Sequence, residues 1–329
     1  MHYNRITSLV VKRLISSLVV LILMICFIFI LLRIAPGDPV MKYVSPELNP
    51  ALAQKVKDSF GLNKPITTQF IQFVSNILSG DFGVSYIFRI PVTDVLKNHL
   101  PFTIIFSLTS FILQLTFSYF LALISIKKMN GIVDTLLSKT SIVLYALPPF
   151  FTGVFLIYIF SEKLNMLPAS GLYSFGVESF SAGDRFVDYF SHLILPLITL
   201  SLGGIAVFYK YLRDNLEDIF NKPYVLNLYS YGLTKKEIIQ KHVIPGAVGP
   251  LISVAGVELG VLFSGALITE VIFGLPGMGR LTVNAILTRD YPLVVGCVFT
   301  SGVLIIISNF AADLLKAKMD KRLIGGLLN

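Results

Sequence analysis

The chain has 329 residues, 54% of them hydrophobic and 14% charged, with a formal net charge of +8. Soluble domains carry about a quarter charged residues, and here the apolar residues gather in blocks about as long as a bilayer core is thick, so a soluble globular protein is excluded. The basic residues stand at the ends of those blocks and not on one patch, which argues for membrane topology and against nucleic-acid binding.

The first apolar run covers residues 14–32, with Arg5, Lys12 and Arg13 before it and Arg33 after it. This order resembles a secretory signal, yet no small-residue cleavage site follows, so a retained first helix is expected. In lipid every backbone polar group must be paired within its own segment, which leaves a helix as the solution. Pro36, Gly37 and Pro39 in RIAPGDPV then end it. Residues 34–100 are polar in character and are expected to form a small folded extracytoplasmic cap. Their basic residues do not oppose that side, because long loops translocate largely regardless of charge.

The second span, 102–126, ends in Lys127 and Lys128 and so runs from outside to inside. The third, 140–160, contains Pro148-Pro149, which removes two backbone donors and predicts a kink or an unwound turn. The next loop sets Glu162, Glu178, Asp184 and Asp188 against Lys163 and Arg185 and reads as outside. His192 opens the fourth span, 192–209, which meets Lys210 and Arg213 on the inner side.

Residues 224–245, YVLNLYSYGLTKKEIIQKHVIP, are the long polar interruption of the C-terminal half. Lys235, Lys236 and Lys241 mark them as cytoplasmic. Gly232 divides them into two short amphipathic pieces. The first has Asn221 as a candidate N-cap and a proline two positions on. The second starts with Thr234 and has Glu237 three residues later, the pattern of a capping box. Pro245 is expected to close the unit where the next span begins. A helix–glycine–helix elbow at a membrane face is a shape another protein could push on; the alternative is an ordinary connecting loop.

The fifth span covers 246–268 and the sixth 292–312. Asp313 follows and is expected to pair with Lys316 at helix spacing. Lys316, Lys318, Lys321 and Arg322 keep the C-terminus inside. The fold class is therefore an all-α polytopic membrane protein with six transmembrane helices and both termini cytoplasmic. Its parts are an N-terminal segment and first helix (1–33), the cap (34–100), a membrane core (98–312) enclosing the cytoplasmic loop (213–245), and a tail (313–329).

Several residues invite a chemical role. GLPGMGR places Gly274 and Gly279 at phosphate-loop spacing, but Arg280 and Leu281 follow in place of lysine and a hydroxyl residue, and no strand precedes. A tight extracytoplasmic turn, with glycines supplying positive φ, accounts for it. Glu258 lies mid-way along the fifth span, where an ionisable residue is a functional hypothesis by default. It either faces a polar path between the helices and meets a cationic ligand or fixes helix packing as a hydrogen-bonded carboxylate. His192 has no His or carboxylate at i+3 or i+4 to complete a metal site, which favours a capping or interhelical role. Cys26 and Cys297 both lie in apolar spans and offer neither a disulfide framework nor a CxxC site. No nucleophile triad, HExxH or intramembrane aspartate pair is present, so no catalytic centre, cofactor or metal site is expected.

The motifs, taken together, resemble the B-type permease subunits of the peptide, opine and nickel ABC importers. RIAPGDPV, GLNKPITTQF, GDFGVS and PVTDVL before LPFTI follow the order of that family, as do ALPPF, LPASG, HLILPLITL, EVIFGLPGMGR and RDYPLVVG. Gly232, Ile244 and Pro245 keep the spacing of the loop by which such permeases dock onto their ATPases. The chain departs from the family where small alanines and basic residues usually precede that glycine: here stand Leu228, Tyr229, Ser230 and Tyr231, a bulkier and more apolar surface. The resemblance implies a type I importer permease fold with an extracytoplasmic insertion after the first helix, in the cytoplasmic (inner) cell membrane. It implies an ATPase-coupling loop carried by Tyr224, Leu228, Tyr231, Gly232, Leu233, Ile244 and Pro245. The implied partners are a second, C-type permease, two ABC ATPases, an extracytoplasmic solute-binding protein and the lipid bilayer. The implied cargo is a peptide, or nickel or a metallophore. An ion-coupled secondary transporter is the other reading, and it would call for inverted repeats that the sequence does not display.

Overall fold

The computed structural model describes residues 2–34 and 64–319. RIAPGDPV after its first two residues, the start of GLNKPITTQF, the first half of the expected cap and the end of the tail lie outside the described residues. Among those described, helices dominate and the sole β-type pairing is one bridge between Val84 and Pro91.

In chain order the helices are α1 (His2–Ile34), α2 (Ile66–Leu78), α3 (Val92–Lys127), α4 (Ile132–Ala146), α5 (Pro149–Leu156), α6 (Ala182–Phe220), α7 (Pro223–Ser230), α8 (Lys235–Ile238), α9 (Ile244–Ile272), α10 (Met278–Leu287) and α11 (Tyr291–Met319). Five are long and apolar enough to cross a membrane, and α4 with α5 makes a sixth, broken span bent by 101°. The double proline produces that break. Leu147 and Pro148 are both extended, because a residue before proline is pushed out of the helical region, and Pro149 then restarts the helix at a position where its missing N–H costs nothing.

The helices overrun the apolar blocks. At 39 residues α6 is about 58 Å long, roughly twice the thickness of a hydrocarbon core. It starts at a true cap, with the Ser181 hydroxyl accepting from the Asp184 N–H, so His192 lies well inside the helix and does not open it. Likewise α3 begins ten residues before the apolar run at 102, with its first turns buried against α10 and α11.

Two contacts organise the bundle. α3 packs along α6, and α9 packs along α11. On α3 a buried stripe of Thr103, Ser107, Ser110, Gln114 and Ser118 faces its neighbours. Ser110 lies 2.9 Å from the Ser201 hydroxyl, and the Gln114 amide donates to the Leu200 carbonyl at 3.2 Å. Gly204 of α6 lies under the Gln114 carboxamide, and a Cβ there would overlap it. Small residues permit the close approach, and hydroxyls supply hydrogen bonds where apolar attraction between helices is weak. α1 joins the edge of the bundle on α11, and its Arg13 pairs with Asp313 at 2.9 Å. Asp313 thus finds its partner on another helix, 300 residues away in the chain.

Candidate functional site

The end of the bundle that carries Lys127 and Lys128 also carries the elbow. α6 stops at Phe220 with Asn221 as its C-cap, so Asn221 closes the preceding helix and Lys222 is the N-cap of α7. α7 ends in a Schellman motif: the Gly232 N–H donates to the Tyr229 carbonyl at 2.9 Å and the Leu233 N–H to the Leu228 carbonyl at 3.3 Å. Gly232 has φ +82°, and a Cβ there would meet nothing within 4 Å. Glycine is needed for its backbone handedness and not for space. The capping box forms as the sequence predicts. The Thr234 hydroxyl accepts from the Glu237 N–H, and Glu237 Oε2 accepts from the Thr234 N–H at 3.0 Å. These bonds, the backbone one foremost, hold the exposed Glu237 carboxyl below its ordinary pKa.

Pro245 does not close the unit. α8 runs through a single wide turn, Ile239–Val243, with π-type hydrogen bonding, straight into α9, and Pro245 falls in the first turn of α9. A wide turn of this kind accommodates a residue that cannot donate an N–H to the preceding turn. The second arm of the elbow and the fifth span are therefore one continuous helix.

Each arm buries one face against the bundle. Val225, Ile238, Ile239 and Val243 are buried in a cluster with Ala122 and Ile126 of α3 and Phe208, Tyr209, Leu212 and Leu216 of α6. Leu228, Leu233 and Ile244 pack against the same cluster. Tyr224, Leu226, Tyr229 and Tyr231 are exposed, Tyr231 at 81%. Of the seven residues expected to form a docking loop, Leu228, Leu233 and Ile244 therefore belong to its seat, and Tyr224 and Tyr231 to its outer face. Lys235 bridges the two parts: its ammonium donates to the Lys127 carbonyl at 3.2 Å and lies 5.6 Å above the Phe220 ring.

A polar cluster that no sequence pattern announces lies behind that seat. Asp134 on α4 and Arg213 on α6 form a buried, two-pronged ion pair 79 positions apart in the chain. Separation of this kind leaves no periodic or local signal.

Glu258 is half-buried and has no hydrogen-bond or ion-pair partner among the described residues. On the same helix Gly256 and Gly260 lie against Ala312 and Ile305 of α11. Helical geometry turns Glu258 about 160–200° away from both, next to the exposed Val257 and Val261.

At the opposite end of the bundle Glu270 is fully buried. It accepts from the Thr103 hydroxyl at 2.7 Å and from the N–H groups of Gly279 at 2.6 Å and Arg280 at 3.1 Å. Thr103 in turn accepts from the Met278 N–H. The N–H groups that a phosphate would need at GLPGMGR are thus occupied by a carboxylate, and the turn is a clasp joining α3, α9 and α10. Gly274 has φ +64° there, and a Cβ on Gly279 would overlap the Leu267 backbone. His192 shares its Nδ1 with the Asp188 carbonyl at 2.8 Å, and the Asp188 carboxylate accepts the N–H and hydroxyl of Ser174, which pins the loop before α6 to that helix.

Comparison with known proteins adds a second line of support. Residues 114–325 match the family described as binding-protein-dependent transport system inner membrane component. Residues 6–109 match the N-terminal family of the same membrane components. The chain is 31% identical over 314 residues to a probable peptide ABC transporter permease of Sinorhizobium fredii, covering 95% of this chain and 98% of the relative. It is 30% identical to an oligopeptide transport system permease of Bacillus subtilis, with 95% and 98% covered. A glutathione transport system permease of Escherichia coli is 28% identical, with 94% and 97% covered.

Proposed function

Since the chain belongs to the family of binding-protein-dependent transport system inner membrane components, and is an ABC importer permease, we propose that the elbow at 224–245 is where it is driven. In this proposal the Lys127 end of the bundle is cytoplasmic, both termini lie on that side of the cytoplasmic membrane, and one of the importer's two ATPases binds the exposed faces of α7 and α8. A second permease completes the path, and an extracytoplasmic binding protein delivers cargo to the end that carries α10, beyond the cap region.

The observation that supports this most is the continuity of α8 with α9. Displacement of the elbow by an ATPase moves the fifth span with no intervening loop to absorb it. The Schellman glycine fixes the angle of α7, and the buried Val225 and Ile238 tie both arms to α3 and α6. Inward-open and outward-open forms need differ by only a few kcal/mol for nucleotide to shift the population.

The named relatives transport peptides, oligopeptides or glutathione, and we assign this chain a peptide-class cargo. Nickel or a metallophore rests on the family resemblance alone. Glu258 fits this assignment: a carboxylate with no partner among the described residues cannot face lipid cheaply, so it lines the half-path and meets a positively charged group of the cargo. Glu258→Gln then weakens uptake of peptides with a free amino group, and unchanged uptake removes Glu258 from the path.

The deciding experiment replaces Gly232 by proline, whose φ near −65° cannot adopt the αL turn, or deletes residues 225–231. Both variants are expected to insert in the membrane and to lose ATP-coupled uptake. Full uptake by either one refutes the elbow as the point of drive.

A further inference from the structure

Behind the elbow's seat four segments converge on one carboxylate. Asp134, in the first turn of α4 and 2% exposed, accepts from Arg213 Nη2 at 2.8 Å and Nε at 3.1 Å. It also accepts from the Asn130 N–H at 2.9 Å, in the tight turn between α3 and α4, and from the Ser125 hydroxyl near the end of α3. The Tyr209 hydroxyl of α6 lies 3.0 Å from Ser125 and 3.3 Å from Ser138 of α4. The remaining prong of Arg213 reaches Asp214 and Glu217, and Lys210 neutralises Asp214 at 2.9 Å.

A buried ion pair is a poor source of net stability, because desolvation offsets the attraction. It is a good source of geometry: the guanidinium fork accepts a carboxylate in a narrow set of orientations. The placement of the pair gives that geometry a use. Arg213 stands between Leu212 and Leu216, α6 residues of the same buried cluster that holds Val225 and Ile238 of the elbow. Asp134 stands at one end of α4, whose other end is the 101° break.

We propose that Asp134 and Arg213 are positioning residues that pass movement of the elbow into the broken third span, so that α4 follows the elbow as one body with the ends of α3 and α6. This rests on the elbow being the driven element.

The test uses the complete importer, with its second permease, ATPases and binding protein. Spin labels sit at Val143→Cys on α4 and Leu287→Cys on α10, both exposed positions, in a chain whose Cys26 and Cys297 are alanine. The distance between labels is followed with and without ATP, alongside ATP hydrolysis. The parent complex is expected to shift its distance distribution with nucleotide. In Asp134→Asn the complex assembles and hydrolyses ATP, while the shifted population falls by at least about fivefold, the low end of typical coupling energies. Arg213→Lys, which keeps the charge and loses the fork, is expected to fall between the two. A full nucleotide shift in Asp134→Asn overturns the proposal. So does failure of Asp134→Asn to co-purify with the ATPases, which makes the pair a folding element only. Absence of any shift in the parent complex instead refutes the driven elbow, and the positioning role falls with it.

Discussion

Removing the Glu270 side chain strands three donors at once, those of Thr103, Gly279 and Arg280. Each buried group left unpaired costs about 1–3 kcal/mol. Glu270→Ala is therefore expected to lower stability by about 3 kcal/mol or more, read as the thermal midpoint of the purified chain in detergent, with Glu270→Gln, which keeps acceptor oxygen, falling less. Glu237 gives a pH signature at the same scale. Its folded pKa is depressed, so its contribution is complete above the ordinary carboxylate value of 4.5 and is lost as pH falls below it through the folded value. Protection of the Thr234 and Glu237 amides, relative to the intrinsic exchange rate at each pH, is expected to fall on acidification below about pH 4.5, and Glu237→Gln, which cannot ionise, abolishes that dependence. The residues behind these two predictions differ in legibility. The Thr234–Glu237 box is a local pattern and stands in the sequence. Glu270 is 167 positions from Thr103, and nothing in a local window distinguishes it from any other acidic residue near a helix end.

Among the elements, the elbow was legible where its signals were local and misread where they depended on context. Gly232 marks a turn because an αL residue costs other side chains about 1–2 kcal/mol. Gly232→Ala is accordingly expected to speed exchange of the Gly232 and Leu233 amides, which close the Schellman motif, by about fivefold or more. Pro245 looked like a terminator, since proline inside a helix removes a hydrogen bond. The wide turn at Ile239–Val243 supplies another solution that proline alone does not reveal. Helix ends were missed for a related reason. Hydropathy falls where a bilayer ends, whereas α3 continues as a helix because its first turns are buried against α10 and α11, and α6 because Ser181 caps it and Asp188 holds Ser174. The break at Pro148-Pro149 was legible because it follows from covalent geometry.

For the molecule as a whole, the count of six spans and the permease family follow from composition, motif order and the matched relatives, while the packing that joins the spans does not. α1 illustrates the balance of forces. Its pair Arg13–Asp313 is partly exposed, and such pairs contribute about 0–1 kcal/mol. Arg13→Ala is expected to shift the thermal midpoint by about 1–2 °C at most. Gly302→Leu, which drives bulk into Met24, is expected to cost about 1–3 kcal/mol and to loosen α1 from α11. From Lys235 to Ile272 the chain is one continuous helix that passes through the wide turn at Ile239–Val243 and carries Pro250 within it. A rod without a joint behaves as an axle: a twist applied where it leaves the bilayer turns every side chain along it by the same angle. If the elbow is driven as proposed, Glu258 swings round its circumference and does not slide along its length.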